Sequence, residues 1–268
     1  MHLYHDDLTS RLAAVQARMR AAADRSGRRI EDVRLVAVTK GVDPERIREA
    51  LALGIVDLGE NRIQEALPKI AALGPAPRWH LVGHLQRNKV GRAIEVFALI
   101  HSVDSVRLAE EIARRAGVLG RDIPVLLQVN VAGEPGKHGF APEEVRDAAR
   151  RIAGSPGVRV RGLMTIAPLT DDPETVRPMF RRLRRLSECV VPLIPITALL
   201  TNLHTSRWGG MSSEAAPQRE NEGRFMMSAA GRQGVDRMVV GYRPRRMRRR
   251  SSTAAMVLPD IFPKRRDS

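Results

Sequence analysis

The chain has 268 residues, enough for one large domain or two small ones, and with only 3% aromatic residues any core must be built mainly from Leu, Val, Ile and Ala. A single cysteine, Cys189, excludes an internal disulfide and a metal site made mainly of thiolates, and points to a reducing compartment, by default the cytoplasm. The formal net charge of +15 is uneven, because Thr201 to Ser268 holds 14 Arg and Lys against 6 Asp and Glu, and this shift marks a boundary near residue 200.

The first twenty residues mix His, Asp and Arg with no apolar run, so no secretory signal is expected. No membrane span is expected either, since the longest apolar stretch, Cys189 to Leu203, is short and carries Pro192 and Pro195. From Asp7 to Ser26 the spacing of Leu8, Leu12, Val15 and Met19 predicts an amphipathic outer helix that stops at Gly27. Strand and helix then take turns. Arg34–Thr39 precedes a helix from about Pro44 to Leu53, Ile55–Leu58 one from Ile63 to Leu73, and Trp79–Val82 one reaching about Val96. Leu99–Val103 precedes Ser105–Ala116, Val125–Val131 precedes Pro142–Ala153, and Val158–Met164 precedes Pro173–Leu186.

Six β-α units in succession predict a parallel sheet, either doubly wound or closed as a (β/α)8 barrel. Every strand is followed by polar residues: Thr39-Lys40, Gly59-Glu60-Asn61, Gly83-His84, Ser102 with Asp104, Asn130 and Thr165. An open sheet uses mainly the strand ends beside its switch point, whereas a barrel converges all of them on one centre, so this pattern favours the barrel. After Leu186 the alternation fails, and the two further strands that an eight-unit barrel needs have no secure place.

Lys40 ends the apolar run Leu35-Val36-Ala37-Val38-Thr39, which suits a strand covered on both faces. Partial burial at a strand mouth lowers a lysine pKa, and the neutral amine can condense with a carbonyl cofactor. For this one residue taken alone, a solvated lysine at the edge of a core strand is the favoured reading. His80 and His84 lie on a strand and its exit, where four residues span roughly 13 Å, too far for one zinc ion. His84 therefore reads as a hydrogen-bonding residue at the mouth and His80 as a satisfied core or cap histidine, and no metal ligands are assigned. The loop Gly133-Glu134-Pro135-Gly136-Lys137-His138-Gly139 lacks the glycine spacing and the hydroxyl of a nucleotide-binding loop, and reads as a carrier of one cation to the mouth or as an idle surface loop. The six arginines between Arg243 and Arg250 could contact phosphate backbones, but they come with no stacking aromatics beyond Tyr242 and no reading module, which favours a solvated tail over a nucleic-acid site.

Taken together, LVAVTK at 35–40, DLGENRIQEAL at 57–67, RWHLVGHLQRNKV at 78–90, IHSVDS at 100–105, LLQVNVAGEPGKHGF at 126–140 and VRGLMTIAPL at 160–169 resemble the YggS/PROSC-type pyridoxal phosphate homeostasis proteins. The resemblance implies the barrel of an alanine racemase N-terminal domain, with pyridoxal 5'-phosphate held as a Schiff base on Lys40. By the same resemblance Asn61 and His84 line the pocket, Met164 packs near the ring, and Lys137 is an auxiliary lysine near the mouth. It further implies cofactor storage or delivery to apo enzymes, with no established turnover, by a monomer.

The alternative class is a fold-type III amino-acid racemase or decarboxylase. A racemase of this fold uses a tyrosine as second acid/base, whereas the tyrosines here are Tyr4 and Tyr242, at the extremes of the chain. The family's phosphate-holding Ser-Met-Gly-Met-Ser segment has a partial echo in Gly210-Met211-Ser212-Ser213-Glu214, which makes Met211 and Ser212 candidate cofactor contacts. The family's Arg-Ile/Val-Gly-Thr segment has no counterpart. Residues 1–203 are thus expected to form the barrel, with the last two β-α units altered or missing, and residues 204–268 a basic, poorly ordered tail; the abrupt loss of pattern also fits a shifted reading frame.

Overall fold

The computed structural model describes residues 5–168, 170, 172–190, 199–202, 239–241 and 254–258. Among them β1 (Val33–Val38), β2 (Asp57–Glu60), β3 (Arg78–Leu81), β4 (Leu99–Val103), β5 (Ile123–Gln128) and β6 (Val158–Thr165) alternate with helices. The helices are α2 (Pro44–Ala52), α3 (Ile63–Leu73), α4 (Val90–Val96), α5 (Val106–Leu119) and α6 (Val145–Ala153), with α1 (His5–Arg25) ahead of β1 and α7 (Arg177–Val190) after β6. Three further strands are β7 (Leu199–Asn202), β8 (Val239–Gly241) and β9 (Ala254–Leu258).

All nine strands form one sheet in the order β8-β7-β6-β5-β4-β3-β2-β1-β9. Every neighbouring pair is parallel except β7 with β8, which run antiparallel. The two ends of this order, β8 and β9, lie against each other, so the sheet curls round on itself as in an α/β barrel. The alteration at the closing end takes the form of an antiparallel strand and of β9, which pairs with β1 from Val33 opposite Ala254 to Ala37 opposite Leu258.

Side-chain alternation divides the sheet into two faces. Ala37, Leu58, Trp79, Leu81, Ile100, Val125, Leu127, Val160 and Leu163 share a cluster with Ile47, Ala66, Ile94, Leu108, Ile112 and Ile152 from the surrounding helices. Val36, Val38, Val82, Leu99, Leu126 and Met164 form a separate cluster on the inner face. Each Val, Leu, Ile or Met side chain among these, when fully buried, stabilises the fold by about 1.5–3 kcal/mol, so two apolar layers fix which face of each strand turns inward.

β2 departs from the expected Ile55–Leu58. It begins two residues later, and all four of its residues are buried, two of them carboxylates. Among the described residues no helix is long and apolar enough to cross a membrane.

Candidate functional site

Lys40 follows β1 by two residues and is half-buried. Its place comes from alternation: Val36 and Val38 belong to the inner cluster, while the intervening Ala37 and the following Thr39 face the helices. Lys40 therefore continues the inward row above an apolar floor that includes Met164 from β6. The backbone beside it is held from outside. Thr39 Oγ1 donates to Glu60 Oε1 at 2.6 Å, and Lys69 Nζ, from α3, donates to the same oxygen at 2.7 Å and to the Thr39 carbonyl at 2.5 Å. That carbonyl belongs to the peptide bond leading into Lys40.

Glu60 is fully buried and Lys69 nearly so. Burial pushes the Glu60 carboxyl above its ordinary range, and the hydrogen bonds from Lys69 and Thr39 offset this only in part. Thr39 and Glu60 are legible in the sequence as polar strand ends. Lys69 is not, because it sits inside the helical pattern of α3, and the available signal is a lone cation on an otherwise apolar helix face.

Asn61 follows β2 directly, and its backbone lies against Gly83, the second residue after β3. A Cβ on Gly83 would stand 2.3 Å from the Asn61 carbonyl oxygen and 2.8 Å from its Cα, so only glycine allows the two loops to meet. This approach brings together the loops that carry Asn61 and His84 from the carboxyl ends of β2 and β3. His84 Nδ1 lies 3.1 Å from Asp104 Oδ2, in the loop after β4, and so has the polar partner at the mouth that its position suggests.

Lys137 lies in the glycine-rich loop and pairs with Glu134 Oε1 at 2.6 Å, with 41% of its side chain exposed. The loop folds back on β5. Asn130 Nδ2 donates to the Glu134 carbonyl at 2.9 Å, Asn130 Oδ1 accepts from the Glu134 amide at 3.2 Å, and Gln128 Nε2 donates to the His138 carbonyl at 3.0 Å. Gly139, with φ of +129°, completes the return, and a Cβ there would stand 2.6 Å from the Asn130 nitrogen. The structure thus brings Lys40, Asn61, His84 and Met164 to one end of the sheet with Lys137 in a loop above it; Met211 and Ser212 lie outside the described residues.

At the opposite end of the strands lies a second polar group. His80 is buried, with Nε2 3.0 Å from Asp57 Oδ1 and Nδ1 2.9 Å from His101 Nε2. Arg78 grips Asp57 with two bonds of 2.8 Å. Burial pushes the Asp57 carboxyl up, but His80 and the guanidinium groups of Arg78 and Arg34 outweigh it and hold the group below its ordinary value. Burial pushes both histidines down, His101 well below its usual value. With both rings neutral, His80 Nε2 donates to Asp57 and its Nδ1 accepts from His101, which leaves His101 Nδ1 as a buried acceptor with no partner. His80 is the satisfied core histidine that its strand position predicts.

At this end of the sheet a half-buried lysine leaves β1, next in the alternation after Val36 and Val38, with the carbonyl before it held by Lys69, and Asn61 and His84 leave the neighbouring strands. Residues 10–204 match the family described as alanine racemase, N-terminal domain. The pyridoxal phosphate homeostasis protein of Aquifex aeolicus is 42% identical over 179 residues, covering 66% of this chain and 78% of that protein. The protein of the same name from Pseudomonas aeruginosa is 39% identical over 180 residues, covering 67% and 78%. Among solved structures, PipY of Synechococcus elongatus with pyridoxal phosphate bound superposes with a TM-score of 0.58 at 37% identity, over 68% of this chain and 86% of that one. An alanine racemase from Clostridium difficile, at 16% identity and a TM-score of 0.57, shares the fold.

Proposed function

This chain belongs to the alanine racemase N-terminal-domain family, among its pyridoxal phosphate homeostasis proteins, and we propose that it holds pyridoxal 5'-phosphate covalently on Lys40 to store or deliver it. The observation that carries this reading is the position of Lys40, in line with Val36 and Val38 above the inner cluster, with its backbone fixed by Thr39, Glu60 and Lys69. The relative solved with the cofactor bound supports it. When bound, the cofactor supplies an aldehyde for condensation with an amine. The remaining work belongs to the protein.

Val36, Val38 and Met164 exclude water beneath the lysine, Asn61 and His84 orient a polar edge, and Lys137 offers a second amine from the loop above. Met211 and Ser212 contribute to the phosphate end. Residues 1–203 supply the first seven strands of the binding barrel, and the basic segment 204–268 supplies β8 and β9 at its closing end. The protein acts as a cytoplasmic monomer on the cofactor itself, with apo enzymes as recipients and without turning over substrate. The two tyrosines, Tyr4 and Tyr242, fall at the extremes of the sequence, which disfavours the two-base chemistry of a racemase.

The test is to incubate the full chain with pyridoxal phosphate, reduce with borohydride and map the modified peptide. Cofactor fixed at Lys40, and lost in Lys40→Ala, supports the proposal. A folded protein that takes up no cofactor at Lys40 overturns it, and steady consumption of an amino acid by the loaded protein would make it an enzyme instead.

A further inference from the structure

Three side chains from three strand ends converge beside the mouth. His84 follows β3, Asp104 follows β4, and His138 lies in the glycine-rich loop after β5. One ligand atom from each lies within 4.8 Å of the other two. His84 Nδ1 and His138 Nδ1 stand 3.1 and 3.4 Å from the same oxygen, Asp104 Oδ2; the two imidazole rings stack at 3.8 Å with 13° between their planes, so a shared ion requires one exposed ring to turn about its Cβ–Cγ bond until both nitrogens point at it.

In a tetrahedral zinc site with bonds of about 2.0–2.1 Å, the edges between ligand atoms are about 3.3–3.4 Å. The two nitrogen-to-oxygen separations found here are close to such edges. As a hydrogen bond, 3.4 Å lies beyond the usual range of about 2.7–3.2 Å for N-H to oxygen. The backbone that carries the group is held in place before any ion arrives. Gln128 clamps the His138 carbonyl, Asn130 ties down the start of the loop, and Asp104 is largely buried, with 12% of its side chain exposed. Solvent reaches the site from the histidine side, where His84 and His138 are 38% and 56% exposed.

We propose that His84, Asp104 and His138 form a site for a divalent transition metal of the zinc or cobalt class, with its fourth position open to solvent. Two imidazoles and one carboxylate are the donors that such ions take, and hard ions such as magnesium, which need six oxygens, are not served. A bound ion would tie the loop that carries Lys137 to the exits of β3 and β4. The sequence conceals this group because its members are separated by intervening helices, and because the nearest histidine to His84, His80, is engaged elsewhere.

The test uses the full chain stripped by a chelator, free of pyridoxal phosphate, and titrated with Co2+ by visible absorbance and with Zn2+ by calorimetry. One ion per chain is expected, with affinity falling at least about tenfold in His138→Ala and in Asp104→Asn. Cys189→Ser, which alters an exposed thiol on α7, should leave binding unchanged. His138 is exposed and Asp104→Asn preserves size, so circular dichroism should show both variants folded. Absence of binding, binding indifferent to both substitutions, or binding abolished by Cys189→Ser overturns the proposal.

Discussion

Replacing Lys69 by methionine keeps the stem that crosses the helix–sheet interface and removes the ammonium group. Glu60 Oε1 then loses its 2.7 Å partner, the Thr39 carbonyl loses its 2.5 Å donor, and the buried carboxylate keeps only the Thr39 hydroxyl. Removing one partner of a buried ion pair typically costs about 3–5 kcal/mol. Here the carboxyl can escape by taking up a proton. With an unfolded pKa of about 4.3, that proton costs at most about 3.7 kcal/mol at pH 7 and about 1 kcal/mol at pH 5. The lost bond to Thr39 adds about 1 kcal/mol at either pH.

The sign follows from the direction of the shift. A carboxyl whose pKa is raised by folding favours the native state below its unfolded pKa, and that advantage disappears as pH rises. Lys69→Met raises it further, so the penalty must grow with pH. Urea unfolding followed by circular dichroism at pH 5 and pH 7 measures it, with a loss of about 3–4 kcal/mol expected at neutral pH and about half of that at pH 5. An equal loss at both pH values, or one below about 1 kcal/mol at pH 7, would refute the account of this pair.

Gly83→Ala drives a methyl group into the Asn61 backbone and should lower stability by about 2–3 kcal/mol, near the top of the range for overpacking because the obstacle is main chain, as read by thermal melting. Asp57→Asn removes the anchor of His80 and the bidentate partner of Arg78; a loss of about 2–3 kcal/mol at pH 7 is expected, moderated because Arg78 is half exposed. Because the Asp57 pKa is depressed, its contribution is present above the unfolded value and fades as pH falls, so acid titration of wild type and variant should converge. Ser105→Ala deletes the oxygen that accepts from the Leu108 amide at the start of α5 and should cost about 1 kcal/mol in urea unfolding.

The β-α alternation was legible because each helix carries a stripe of aliphatic residues and most strands are short apolar runs. The expected Leu99–Val103 coincides with β4, and Ile63–Leu73 with α3. β2 was displaced for a physical reason. Its interior holds Asp57 and Glu60, stabilised there by Arg78, His80 and Arg34 on one and Lys69 and Thr39 on the other, and a reading by hydrophobicity prefers the neighbouring Ile55. Lys40 was visible as the residue that ends a buried strand, and Asn61 and His84 as polar strand exits. The buried pair behind Lys40 and the His84–Asp104–His138 group were not visible, since both depend on side chains from separate units meeting across the sheet. Periodicity along one element carries no information about such meetings.

The pairing of β1 with β9 bears on the order in which the protein can mature. β2 emerges from the ribosome soon after β1 and can pair with it at once, but Ala37 meets Leu258 only when the later segment has been made. Throughout that interval the strand leading to Lys40 presents one open edge of unpaired N-H and C=O groups, the kind of edge that recruits foreign strands. Translation that stalls before residue 254 would therefore yield a chain with α1 to α7 but a sticky flank beside Lys40, a natural substrate for chaperones and proteases.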